Sequence, residues 1–189
     1  MVGSANMTAG ERLREARIDR GLSLRALGEK TGFSASFLSQ VERGRSSPSL
    51  SSLDRIARAL DLTVAKLLAT DADAGPVLRK SARTPLLSEW SKVTVETLTN
   101  PSTDDVVEAF LIQLDPSGST GTSTYRPRCK VFAYCSRGRI GFMRESSSEM
   151  MELDTGDSVV LSGPVTVAWN NPSTSVPAEL MLVVLRLDS

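Results

Sequence analysis

The sequence predicts a two-domain chain, all-α followed by all-β, on three observations. Residues 1–70 carry apolar positions three and four apart between helix-capping residues. From Val77 onward the pattern changes to short alternating or apolar segments separated by turn clusters. Between the two, ATDADAGPV is small and acidic around Gly75 and Pro76 and marks a linker. The boundaries fall at 9–69 for the helical domain, 70–77 for the linker and 78–189 for the β domain.

The first helix is expected over Glu11 to Arg20, with Leu13, Ala16 and Arg17 at helical spacing and Gly21 at its end. Ser23 can cap a second helix whose inward residues are Leu24, Leu27 and Gly28, and Gly32 supplies the left-handed residue of a tight corner. A third helix starts at Ser34. Its apolar positions Phe37, Leu38 and Val41 form one buried stripe, and Ala35, Ser36, Ser39 and Gln40 lie on the other side. That face is small, uncharged and hydrogen-bonding, so it can enter a major groove and meet base edges. Pro48 and Ser49 open a fourth helix carrying Leu50, Leu53, Ile56, Ala57 and Leu60, and a short fifth follows from Thr63 to Leu68.

Glu11 to Leu68 resembles the phage-repressor and Cro-type helix-turn-helix domain of the xenobiotic response element family. The Glu42-Arg43-Gly44 that follows the third helix and the Pro48-Ser49 before the fourth both fit its pattern. The resemblance implies a lambda-repressor-like five-helix fold and a structural ion pair between Arg17 and Glu42. It also implies base reading by Ala35, Ser36, Gln40 and Ser39, and phosphate contacts from Ser23, Arg25, Ser34, Arg43 and Arg45. Gln40 is the expected specificity residue, because its amide pairs bidentately with adenine. Gly28 departs from the family's usual alanine, which on propensity alone loosens the second helix by up to about 1 kcal/mol.

Charge follows the same division. Residues 1–70 hold 11 Lys and Arg against 7 Asp and Glu, and residues 71–189 hold 11 against 15. A neutral total thus conceals a basic amino-terminal half suited to a polyanion and an acidic remainder repelled by it. The excess is modest, which favours a homodimer on a two-fold DNA operator. No apolar run reaches membrane-spanning length and the polar amino terminus lacks a signal-peptide core, so a cytoplasmic protein with no membrane partner is expected.

Eight strands are expected in the second domain. They lie near Val93 to Thr97, Val106 to Leu114, Lys130 to Cys135, Arg139 to Arg144, Glu149 to Leu153, Ser158 to Leu161, Val165 to Asn170 and Ala178 to Leu187. That spacing means a sandwich or barrel. Gly138, after the strand KVFAYCSR, and the segment LDTGDSVVLSGPVTVAWNN, with Gly156 and Asn171 in place, are similar to the cupin jelly roll. In the cupin pattern Gly138 would be the glycine of a hairpin.

The cupin metal ligands are missing: Val131 stands where the resemblance places the glutamate, Val167 where it places a histidine, and the chain contains no histidine at all. No metal or other cofactor is therefore expected, because hydrocarbon side chains cannot hold a first-row metal. A strand period of two would instead turn Val131, Ala133, Val165, Val167 and Trp169 inward. They would either line a pocket for a small apolar effector or fill the barrel themselves. Arg126 and Cys129, near the barrel mouth, join them as candidates for an anionic effector. Cys129 and Cys135 lie six residues apart on one strand, about 20 Å, too far for a disulfide.

A DNA-binding transcriptional regulator, and not an enzyme, is the expected function. The alternative is a metal-independent isomerase or epimerase that retains a helix-turn-helix domain. Its acid or base would come from Tyr125, Tyr134, Cys129 or Glu108.

Overall fold

The computed structural model describes residues 7–68, 77–89, 91–100, 106–125, 129–144 and 149–186. Residues 70–76 of the expected linker and the candidate Arg126 lie outside the described residues.

Five helices build the first domain: α1 (Ala9–Asp19), α2 (Leu24–Thr31), α3 (Ala35–Glu42), α4 (Leu50–Ala59) and α5 (Val64–Leu68). All five are capped by a hydroxyl one residue ahead, and at α5 the Thr63 hydroxyl accepts the Lys66 N–H at 3.2 Å. Ser23, Ser34 and Ser49 accept the N–H of Ala26, Phe37 and Ser52. At α1, Thr8 and Glu11 form a reciprocal capping box: the Thr8 hydroxyl accepts from the Glu11 N–H at 3.2 Å, and the Glu11 carboxylate accepts from the Thr8 N–H at 2.8 Å. The helix therefore begins two residues before the expected Glu11. Leu13, Leu27, Leu38, Leu53, Ile56, Leu60 and Leu67 meet in a closed core.

Gly28 has a steric role that helix propensity does not capture. A Cβ there would stand 2.6 Å from the Phe33 carbonyl oxygen, so the missing side chain lets the turn after α2 fold back closely. Gly32 ends α2 at φ +73°, and its N–H donates to the Gly28 carbonyl at 2.8 Å.

The second domain has ten antiparallel strands: β1 (Leu86–Ser88), β2 (Val93–Thr97), β3 (Val107–Leu114), β4 (Ser119–Tyr125), β5 (Cys129–Arg137), β6 (Arg139–Arg144), β7 (Met150–Asp154), β8 (Ser158–Ser162), β9 (Val165–Asn170) and β10 (Ala178–Arg186). A six-stranded sheet, β1-β2-β3-β10-β5-β8, faces a four-stranded sheet, β4-β9-β6-β7. This is the expected cupin-like jelly roll with two strands more than the eight predicted, β1 and β4.

Gly138, at φ +76°, is a corner rather than the expected hairpin. It passes the chain from β5 in the larger sheet to β6 in the smaller, and a Cβ there would press on the Pro177 carbonyl at 2.9 Å. Gly156, at φ +97°, makes a similar crossing between β7 and β8.

The barrel interior is filled. Val131, Ala133 and Cys135 of β5, Val167 and Trp169 of β9 and Phe142 of β6 are all buried, and the Phe142 and Trp169 rings stack tilted at 5.0 Å. Asn171 is buried at the end of β9. Its amide donates to the carbonyls of Leu114, Asp115 and Val176, and its oxygen accepts from the Ser173 N–H.

The two domains meet on the α4 and α5 side of the helical bundle, with β4 lying against α4. The Glu108 carboxylate of β3 accepts the Ala65 backbone N–H of α5 at 3.1 Å, satisfying one of the donors that a helix leaves open at its first turn. Gly121, at φ +74°, lies directly against the Ser51 side chain of α4.

Candidate nucleic-acid interface

The face of α3 expected to read bases is open. Ala35, Ser36 and Gln40 are exposed, while Leu38, Val41 and Glu42 are buried and Phe37 packs partly against the core. The barrel sits on α4 and α5 and leaves this face uncovered. Ser39 is half-buried, and Arg43 folds back onto it: Nη2 reaches the Ser39 hydroxyl at 2.5 Å and Nε the Ser39 carbonyl at 3.0 Å. Ser39 is thus tied to the arginine at the end of its own helix, and Gln40 and Ser36 are the hydrogen-bonding groups that point outward.

The expected phosphate residues ring this face. Ser23 and Ser34 are exposed at the amino termini of α2 and α3, where free backbone N–H groups and helix dipoles favour an anion. Each serine oxygen accepts a capping bond, which leaves its O–H proton available as a donor. Arg25 makes a solvent-exposed pair with Glu29 at 3.2 Å, a contact weak enough to exchange for a phosphate. Arg45 is exposed after the turn.

The position of α3 is fixed from beneath by the pair that the resemblance implied. Arg17 of α1 grips Glu42 with two bonds, Nε to Oε1 at 2.6 Å and Nη2 to Oε2 at 3.0 Å, and its Nη1 donates to the Leu22 carbonyl at 2.7 Å. The side chains are 12% and 5% exposed, so the pair is largely withdrawn from water. Glu42 raises the Arg17 pKa above its usual value, mainly through that hydrogen bond.

In the second domain the candidate effector residues separate. Val131, Ala133, Val167 and Trp169 do turn inward, but they pack into the filled core, with Val165 half-buried at its edge. Among the described residues, Cys129 is the one named candidate that lines a cavity between the two domains. Cys129 and Cys135 are both buried free thiols on β5, and burial pushes the Cys135 thiol up. Of the four acid or base candidates, Glu108, Tyr125 and Cys129 border that same cavity, while Tyr134 lies on the outer face of the larger sheet.

Sequence reasoning missed the set of charged residues that Asp54, Arg58, Glu108 and Arg186 form where the domains meet. A charged residue in the apolar alternation of β3, Glu108 ahead of Phe110, Ile112 and Leu114, was the available signal.

A family described as a helix-turn-helix domain matches residues 8–69. The HTH-type transcriptional regulator SinR of Bacillus subtilis (strain 168) is 31% identical over 107 residues, covering 54% of this chain and 87% of SinR. The immunity repressor protein of Bacillus phage phi105 is 40% identical over 62 residues, covering 33% of this chain and 43% of the repressor. Among solved structures, an HTH_3 family transcriptional regulator from Vibrio cholerae aligns over 95% of this chain and 96% of its own, with TM-score 0.69 at 22% identity. The iron(II) form of HppE aligns over 96% and 100% with TM-score 0.51 at 17% identity. These two structural likenesses concern the fold.

Proposed function

Because this chain belongs to the helix-turn-helix transcriptional regulators, we propose that it binds a two-fold DNA operator as a homodimer, reading each half-site with Gln40 and Ser36. The observation that carries this reading is the open polar face of α3, backed by a buried apolar stripe and by the Arg17–Glu42 pair. Gln40 supplies the bidentate amide for adenine, Ser36 a short hydroxyl, and Ala35 a surface for a thymine methyl. Ser23, Ser34, Arg25, Arg43 and Arg45 hold the backbone and add affinity without sequence information.

The homodimer is supported by the outer face of the larger sheet. Leu111, Met181 and Tyr134 are in register across three strands, and Ala109, Val183, Phe132 and Val160 across four. Val160, on edge strand β8, is 61% exposed. The occupant we assign is a second copy of this chain, because the modest charge of one helical domain calls for two heads on one operator, and identical faces pair isologously. The barrel serves dimerisation and effector response in a cytoplasmic, non-enzymatic regulator. HppE is an enzyme that shares the architecture, but a fold alone does not transfer chemistry.

The test is selection of bound fragments from a random DNA pool. One enriched two-fold sequence is expected, with Gln40→Ala losing about 1–3 kcal/mol and relaxing preference at one base pair. Arg43→Ala should weaken binding evenly across sequences and lower the salt slope by about one. Absence of any enriched sequence, or indifference to Gln40→Ala, overturns the reading.

A further inference from the structure

Space for a ligand lies between the domains. A cavity of 340 Å³ is walled on one side by α4 and α5 and on the other by β3, β4, β5 and β10. That volume holds about ten non-hydrogen atoms, given some 30 Å³ per water-sized group. Leu50 and Val64 of the helical domain and Phe110, Leu182 and Val184 of the barrel make its apolar wall.

The polar wall is mostly self-satisfied, and the exception is informative. Arg58 pairs with Asp54 on α4, and Arg186 pairs through Nη2 with Glu108, whose other oxygen takes the Ala65 N–H. Those pairings take up Asp54 and Glu108, and Asp61, the third acidic residue of the lining, is exposed to solvent. Arg186 Nη1 is left buried with no hydrogen-bond partner among the described residues. Tyr125, across the same cavity, has no hydrogen bond to a described residue, and burial pushes its phenol up, so it stays an O–H donor. An unsatisfied buried guanidinium donor costs free energy until an acceptor arrives.

We propose that this interdomain cavity binds a small carboxylate with a hydrocarbon body, its body between Phe110, Leu182 and Val184 and its carboxylate on the Tyr125 hydroxyl and the Arg186 guanidinium, whose enclosed Nη1 is reached as the two domains shift on each other. Both domains contribute walls, so the affinity depends on how they are seated on each other. Binding therefore shifts the seating of the DNA-reading head on the barrel, since a ligand moves an equilibrium by its differential affinity for the two states. This second half rests on the reading of the chain as a regulator; the binding half does not.

The experiment uses the full chain and titration calorimetry without DNA, with octanoate and phenylacetate as probes and octanamide and phenylacetamide as neutral twins. At least one carboxylate should bind, and its amide at least tenfold more weakly. Val184→Trp, which fills the cavity, should abolish binding. Tyr125→Phe, which removes one hydroxyl and keeps the ring, should weaken it threefold or more with an unchanged melting curve, and it carries the test should Val184→Trp fail to fold. Neither carboxylate binding, amides binding equally, or a folded Val184→Trp or Tyr125→Phe binding as the parent does overturns the site. In a second arm, the bound carboxylate should change affinity for the selected DNA at least fivefold. Bound carboxylate with unchanged DNA affinity overturns the coupling. Failure to enrich any DNA sequence sinks the regulator reading and leaves the calorimetry standing.

Discussion

Replacing Glu42 with alanine should separate the scaffold of the reading head from its surface. In the native protein the Arg17 guanidinium makes three bonds, two to Glu42 and one to the Leu22 carbonyl, in a site where the two side chains are 12% and 5% exposed. Glu42→Ala removes two charge-assisted bonds, each worth about 1.5–3 kcal/mol, and leaves a mostly buried cation with only a carbonyl for company. The expected loss is about 3–5 kcal/mol, the range for breaking one side of a buried pair. Glu42→Gln retains an acceptor without the charge and should lose roughly half as much. Urea unfolding followed by helical circular dichroism measures both. DNA affinity should fall with stability in both variants, since α3 carries Glu42 and the base readers together. A Glu42→Ala protein within about 1 kcal/mol of the parent would mean that the pair is solvated and does not hold α3 in place, because pairs of that small worth are the solvated kind.

Three further outcomes follow from buried contacts. Asn171→Ala should cost about 2–3 kcal/mol in urea unfolding of the barrel, because the carbonyls of Leu114, Asp115 and Val176 lose their shared donor; a loss under 0.5 kcal/mol would mean water replaces it. Gly121→Ala should cost about 1–2 kcal/mol from its left-handed backbone alone, and its contact with Ser51 should in addition speed proteolysis between the domains; unchanged melting and cleavage would contradict the close approach. Both thiols should resist a disulfide reagent at pH 8 in the native state and react together on unfolding. Burial raises the Cys135 pKa, so its stabilising contribution is whole below the unfolded thiol's value of about 8.5 and is lost as pH rises past it. Rapid native labelling of Cys135 would disprove its burial.

The helical domain was legible because its signals are local. Ser23, Ser34 and Ser49 each stand one residue ahead of a helix they cap, and Gly32 ends α2 in the left-handed region as its position in the sequence suggested. The strands with apolar alternation were equally plain, with β2, β6 and β9 at the expected residues. β4 was not, because STGTSTY lacks the alternation that marks a strand. Its buried positions are Thr120 and Ser123, whose polarity is accommodated locally: the Thr120 hydroxyl accepts the Trp169 N–H at 3.2 Å. The small residues that hide β4 in the sequence are those that let it lie against α4.

That same strand explains why the candidate ligand site moved from the barrel lumen to the domain boundary. Val131, Val167 and Trp169 turn inward as the period of two requires, and facing them with Phe142 leaves the lumen packed. Space opens instead where β4 and the ends of β3 and β10 meet a helix surface studded with Asp54 and Arg58. The charged side chains there pair within each domain, Arg58 with Asp54 and Arg186 with Glu108, and the gap between them is walled by apolar residues from both domains. A filled lumen and a divided boundary have different regulatory consequences. A lumen ligand would have to deform a close-packed core to be felt at α3, whereas a boundary ligand touches α4 and α5, which share one core with α3 through Leu38, Leu53 and Ile56. The shorter mechanical path runs from the boundary, and it is there that occupancy can change how the reading face is presented to DNA.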